Sequence, residues 1–180
     1  MSISIGLALL FALVYNISME KLQHRGKNGG IFLGSKSERA VELFKEGYNC
    51  SQAVLGAYCE EVGLDIKTAL MLTSPFGGGI GRLREVCGAA SGMFMIAGLK
   101  YGYVDPKDMK AKKEHYEMVQ KLVERFKEEN GSIICRELLG LDIVHDKPEP
   151  EKRTEAYYKK RPCAEIVRSA AEIIGELLEK

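Results

Sequence analysis

Ser74–Gly102, SPFGGGIGRLREVCGAASGMFMIAGLKYG, decides how the chain is read. A glycine-rich approach leads to a cysteine, and small residues then recur at helical spacing. Gly88, Ala89, Gly92 and Ala97 leave one helix face almost bare of side chains, so another backbone can come close. The helix, expected from about Glu85 to Tyr101, is otherwise apolar nearly all round (Met93, Phe94, Met95, Ile96, Leu99). A helix of that kind belongs in the middle of a bundle. Cys87 falls in its first turn, where unpaired N–H groups and the macrodipole favour a thiolate.

On the N-terminal side of this stretch, Ser35 or Ser37 is suited to cap a helix whose apolar face is Ala40, Val41, Leu43 and Phe44. A second helix is expected to open at Cys50-Ser51, carry Ala53, Val54, Ala57, Tyr58 and Val62 at helical spacing, and close at Gly63. Cys59 would lie inside it as a packing residue. Asp65 caps a short helix through Leu72, which Pro75 ends.

On the C-terminal side, Asp105-Pro106-Lys107-Asp108 signals a helix start. That helix should run to Glu129, with Met109, Tyr116, Val119, Leu122 and Phe126 inward, and stop at Asn130-Gly131. Ile133–Gly140 reads as a short helix with Cys135 in its first turn. Residues 141–161 are charged and proline-containing, and a connection that long is either functional or mobile, with mobile the leaning. The last helix begins at Pro162-Cys163 and turns Val167, Ala170, Ile174 and Leu177 inward. No segment reads as a strand. The expectation is an all-α, multi-helix bundle around a central small-residue, apolar helix.

Residues 1–34 stand apart from this helical domain of residues 35–180. Ser2–Ser18 carries no charge, and Ile3–Tyr15 is almost wholly apolar, yet the run is short for a spanning helix. It fits a marginal membrane anchor, an extra helix in an oligomer, or translation from upstream of a start at Met19. His24–Gly34 reads as a linker. Lys21, Arg25 and Lys27 follow the apolar run and would keep an anchored globular part on the cytoplasmic side. Without insertion, the protein is expected to be cytoplasmic.

The charge balance, 26 basic against 25 acidic residues, provides no basic surface for nucleic acid, which is not an expected partner. Five cysteines, an odd number with wide spacing and no CxxC, fit neither a secreted disulfide framework nor a zinc ribbon. Free thiols in a reducing compartment are the natural reading. His24, His115 and His145 form no metal pair and none addresses a cysteine, so Cys-His hydrolysis is a poor fit. No acid/base pair stands out among the carboxylates.

Cys50, Cys87, Cys135 and Cys163 each fall at the expected start of a helix, and Cys59 does not. Each setting should lower a thiol pKa and keep the sulfur partly accessible. Arg84, Arg136 and Arg161 lie close by in sequence and would stabilise thiolates or offset a cluster's charge. If the four helix starts meet, they could hold zinc or an iron–sulfur cluster, or cycle between dithiol and disulfide. Gly77, Gly78 and Gly79 could cradle an anion. The contrary reading is tight backbone packing around Cys87, since no strand precedes the loop and no P-loop ending follows.

GYNCSQAVL (Gly47–Leu55), FGGGIGRLREVCGAASG (Phe76–Gly92), Ile134-Cys135-Arg136 and the Pro162-Cys163 helix together resemble a known family. It is named for a Cys-Gly-Ala-x-x-Gly motif with further lone cysteines, C_GCAxxG_C_C. The similarity covers about Ser35 to the C-terminus. It implies redox activity or a bound prosthetic group, and a redox partner protein. It marks Cys50, Cys87, Cys135 and Cys163 as the family positions, with Gly88, Ala89 and Gly92 completing the central motif. The leading expectation is a redox or electron-transfer protein. The alternative is a non-enzymatic dimerisation or adaptor module with inert buried cysteines, a homodimer joined at its small-residue face.

Overall fold

Capping chemistry sets where the helices begin in the computed structural model, which describes residues 35–143 and 145–179. The expectations for residues 1–34 fall outside that range. Helix α1 (Lys36–Lys45) is opened by a capping box: Ser35 Oγ accepts from the Glu38 N–H, and the Glu38 carboxylate accepts from the Ser35 N–H. Helix α2 (Cys50–Ala57) repeats the device with Asn49 and Gln52, which makes Cys50 the first helical residue. Asp65 caps α3 (Ile66–Thr73), and a 3₁₀ turn at Ser74–Phe76 follows.

Helix α4 (Gly88–Tyr101) takes Cys87 as its N-cap, so it starts three residues later than the composition suggests. The delay has a backbone cause. Ile80, Arg82 and Arg84 adopt left-handed φ values of 60°, 71° and 61°, which an α-helix does not tolerate. The segment from Arg84 to Cys87 instead pairs with residues 133–136. Cys87 N–H donates to Ile133 O (2.7 Å), Cys135 N–H to Glu85 O (2.6 Å) and Arg136 N–H to Arg84 O (3.1 Å). This isolated antiparallel bridge, Val86 opposite Ile134, is the one β-pairing among the described residues.

Two boundaries differ from expectation for local reasons. Helix α2 ends at Ala57 rather than Gly63, so Cys59 lies in the turn after it, still buried in the core. Helix α5 (Met109–Asn130) begins at Asp108 rather than Asp105. Asp105 uses its carboxylate on the Lys107 N–H in a local Asx turn, which leaves the cap to Asp108. Helices α6 (Cys135–Leu138), α7 (Glu155–Lys160) and α8 (Cys163–Leu178) complete the all-α fold.

The helices form one compact unit, Gly34–Lys180. Helix α2 packs against α1, α3, α4 and α8, and α4 against α2, α5 and α8. The bare face of α4 is what lets α2 approach: a Cβ on Gly92 would stand 2.9 Å from Ser51 O and 3.0 Å from Val54 Cβ. The far end of α4 turns Leu99 and Tyr101 to solvent, 45% and 40% exposed. The small-residue helix therefore shares the centre with α2 rather than occupying it alone. No helix among the described residues is long and apolar enough to cross a membrane.

Candidate functional site

Four helix starts converge on one cavity. Cys50 opens α2, Cys87 caps α4, Cys135 opens α6 and Cys163 opens α8, and all four line it. Two of these placements follow directly from backbone bonding. The bridge of residues 84–87 with 133–136 sets Cys87 beside Cys135. The close approach of α4 to α2 sets Gly88 against Cys50, a Cβ there standing 3.3 Å from Cys50 Cβ. All the cysteines are free thiols; Cys50 and Cys163 are half-buried, and Cys87 and Cys135 are buried.

The glycines divide by role. Gly78, Gly79 and Gly88 line the cavity, whereas Gly77 packs on the Asn49 side chain and Gly92 on α2. Gly79 presses on Cys135: a Cβ there would lie 2.6 Å from Cys135 Cβ and 2.8 Å from Glu85 N. Both packing and lining thus fall to the same loop. Its left-handed residues cost on the order of 1–3 kcal/mol each and need outside support. Backbone bonds from Arg84 N–H to Gly78 O (3.3 Å) and from Glu85 N–H to Gly79 O (3.1 Å) supply part of it.

Arg84, Arg153 and Arg161 line the cavity together with Tyr157, and among the described residues no carboxylate does. Arg84 is only 3% exposed. Its Nη1 points to Cys135 Sγ at 3.9 Å and its Nη2 donates to Asp146 Oδ2 at 2.5 Å. Burial works against the Arg84 charge, and the Asp146 and Cys135 contacts outweigh it. Residues 141–161, expected as a mobile connection, supply much of the wall. Asp146 also accepts from Arg82 (2.5 Å), and Glu151 accepts from Arg161 (2.5 Å). Arg153 stacks over Phe44 and Tyr157, 4.6 Å and 4.9 Å from the ring centroids. Arg153 and Tyr157 had no sequence signal, because they belong to a charged segment without periodicity. Arg136 lies outside the lining and pairs with Glu85.

The thiols are not equivalent, which corrects the expectation that every helix start lowers a pKa. Cys163 alone is lowered, to about 7, first by the hydrogen bond from the Cys50 thiol and then by Arg161, Arg153 and Arg84 against the cost of burial. Cys50 is raised, first by that same bond to Cys163 and then by burial. Burial pushes Cys87 up to about 12, and the N–H groups of Ala90 and Ala89 do not offset it. Cys135 is raised by burial despite Arg84. The charges of Cys163, Cys87 and Cys135 all act on Cys50, so the four sulfurs form one electrostatic group.

The pair has a signature that can be checked. Below pH 7 Cys163 is protonated and a poor nucleophile, and above it the thiolate dominates. Alkylation of Cys163 by iodoacetamide, followed by peptide mass mapping, should rise with pH around a midpoint near 7. Cys87 should stay unmodified in the folded protein at that pH, since its thiol is held to about 12.

Zinc and iron–sulfur clusters require several donors drawn tightly around the metal. The donor chemistry here is suitable, but among the described residues no group of three or more His, Cys, Asp or Glu side chains is arranged to hold a metal ion. The arrangement therefore fits neither group as it stands.

The site is thus four thiols gathered under a cationic wall in an all-α fold. Residues 48–177 match the model of the family described as "Putative redox-active protein (C_GCAxxG_C_C)", and the chain belongs to that family. The central run of this member reads Cys87-Gly88-Ala89-Ala90-Ser91-Gly92. No curated protein and no solved structure matches the chain.

Proposed function

We propose that the protein is a thiol–disulfide oxidoreductase in which Cys163 attacks and Cys50 resolves. The observation that carries this reading is geometric: Cys50 and Cys163, the first residues of α2 and α8, line one cavity with Arg153 and Arg161, and the pairing of the two thiols lowers Cys163 and raises Cys50. The Cys163 thiolate attacks one sulfur of a substrate disulfide. A mixed disulfide forms, and the departing thiolate takes the proton of Cys50. Cys50 then attacks Cys163 Sγ, closes the Cys50–Cys163 disulfide and releases the second substrate thiolate. Two electrons pass from the pair to the substrate, and a reducing partner protein restores the dithiol. Cys87 and Cys135, buried and protonated, support the walls. A reducing, cytoplasmic setting suits such a cycle.

The test is to purify the protein anaerobically, titrate its thiols before and after a mild disulfide oxidant, and map the products. The expected result is loss of two thiols with a Cys50–Cys163 linkage, reversed by dithiothreitol. Stoichiometric iron and sulfide in that preparation would replace this reading with a cluster held by the same four cysteines. Unchanged thiols without metal would leave the dimerisation or adaptor reading.

A further inference from the structure

We propose that the cavity beside Cys163 is a substrate site for a small sulfane-sulfur oxyanion of the thiosulfate class. This deepens the assignment of Cys163 as nucleophile and rests on it. The cavity leaves about 50 Å³ for the centres of water-sized molecules, room for a few waters or a small anion. Its polar wall is donor-rich: Arg84, Arg153 and Arg161, with no carboxylate among the described residues.

Two of those guanidiniums keep donors in reserve. Arg84 is 97% buried by its 3% exposure, and its Nε has no hydrogen-bond partner among the described residues; neither has the buried Nη1 of Arg153. Leaving a buried donor of a charged group unmade costs roughly 1–3 kcal/mol or more. An oxyanion supplies acceptors for such donors and charge for the cationic wall. Cys50, Cys87, Cys135 and Cys163 share that lining, and Arg84 Nη1 reaches to 3.9 Å from Cys135 Sγ, so an anion bound there lies beside the sulfurs. Among oxyanions, one bearing an electrophilic sulfane sulfur can use it.

The chemistry balances without a further reactant. Cys163 Sγ⁻ bonds to the outer sulfur of thiosulfate, the sulfur–sulfur bond of thiosulfate breaks, and its electron pair leaves on sulfite. Cys163 is then a persulfide. The Cys50 thiol attacks Cys163 Sγ, the Cys50–Cys163 disulfide forms, and hydrosulfide departs with the Cys50 proton. The dithiol is oxidised by two electrons, and thiosulfate is reduced to sulfite and hydrosulfide.

The experiment incubates the reduced full chain with thiosulfate, and separately with uncharged hydroxyethyl disulfide. Saturable release of sulfite is expected, and in Cys50→Ser the mass of one added sulfur should be found on Cys163. Sulfate, an unreactive oxyanion, should slow alkylation of Cys163. Arg84→Gln should lower the second-order rate constant of the single sulfite-releasing turnover about tenfold to a hundredfold. If that variant does not fold, the wild-type arms decide. Oxidation by hydroxyethyl disulfide without sulfite from thiosulfate overturns the anion site and leaves the thiol reading standing. Reaction with neither overturns both.

Discussion

Gly79→Ala should cost the protein about 2–5 kcal/mol, a large part of a typical folding free energy. Two penalties coincide at this position. Its φ of +70° is left-handed, which costs an L-residue roughly 1–2 kcal/mol. The new Cβ would also stand 2.6 Å from Cys135 Cβ, 2.8 Å from Glu85 N and 2.9 Å from Glu85 O. Overpacking of that kind adds about 1–3 kcal/mol, and the obstacles are mostly backbone and cannot swing aside. Urea unfolding followed by circular dichroism checks it. Gly98→Ala, helical with nothing within 4 Å of the added carbon, is the contrast and should stabilise by roughly 0.5–1 kcal/mol. Equal midpoints for the two variants would show that the loop does not press on the Cys135 turn.

Cys163→Ser should reduce exchange with hydroxyethyl disulfide at pH 7 by roughly fiftyfold or more. Cys163, at about 7, is half thiolate at that pH. Burial also raises Cys50, so without its partner it stays mostly protonated at pH 7 and is a weak nucleophile. Cys50→Ser should act differently. The serine hydroxyl still donates toward Cys163, so attack continues, but no second thiol resolves the product. The mixed disulfide on Cys163 should accumulate and be visible by intact mass. Equal loss in both variants, with no trapped adduct, would rule out the assignment of attacker and resolver.

How much of this can be read in the residues depends on whether the signal is local. Ser35, Asn49 and Asp65 are capping residues whose partners lie within three positions, so those helix starts, and Cys50 at one of them, are legible. The small face of Gly88–Ala97 likewise shows that another helix must come close, although not that α2 is the one. The thiol pKa values are not legible. A helix start favours thiolate, but burial opposes it, and burial at Cys87 depends on walls brought from distant segments. The bridge at Val86 and Ile134 is hidden because it is two residues deep and its cause is a run of left-handed non-glycine residues. Arg153 and Tyr157 are hidden for a related reason. Their segment takes its shape from Asp146 and Glu151 clasping arginines rather than from any periodicity of its own.

The positions of Cys50 and Cys163, at the first residues of α2 and α8, have a consequence for the lifetime of the protein. A covalent link there would close a ring through 163 − 50 = 113 positions, and removing that much freedom from the unfolded chain is worth about 4–5 kcal/mol in the loop-entropy account. The oxidised molecule would then resist proteolysis better than the reduced one.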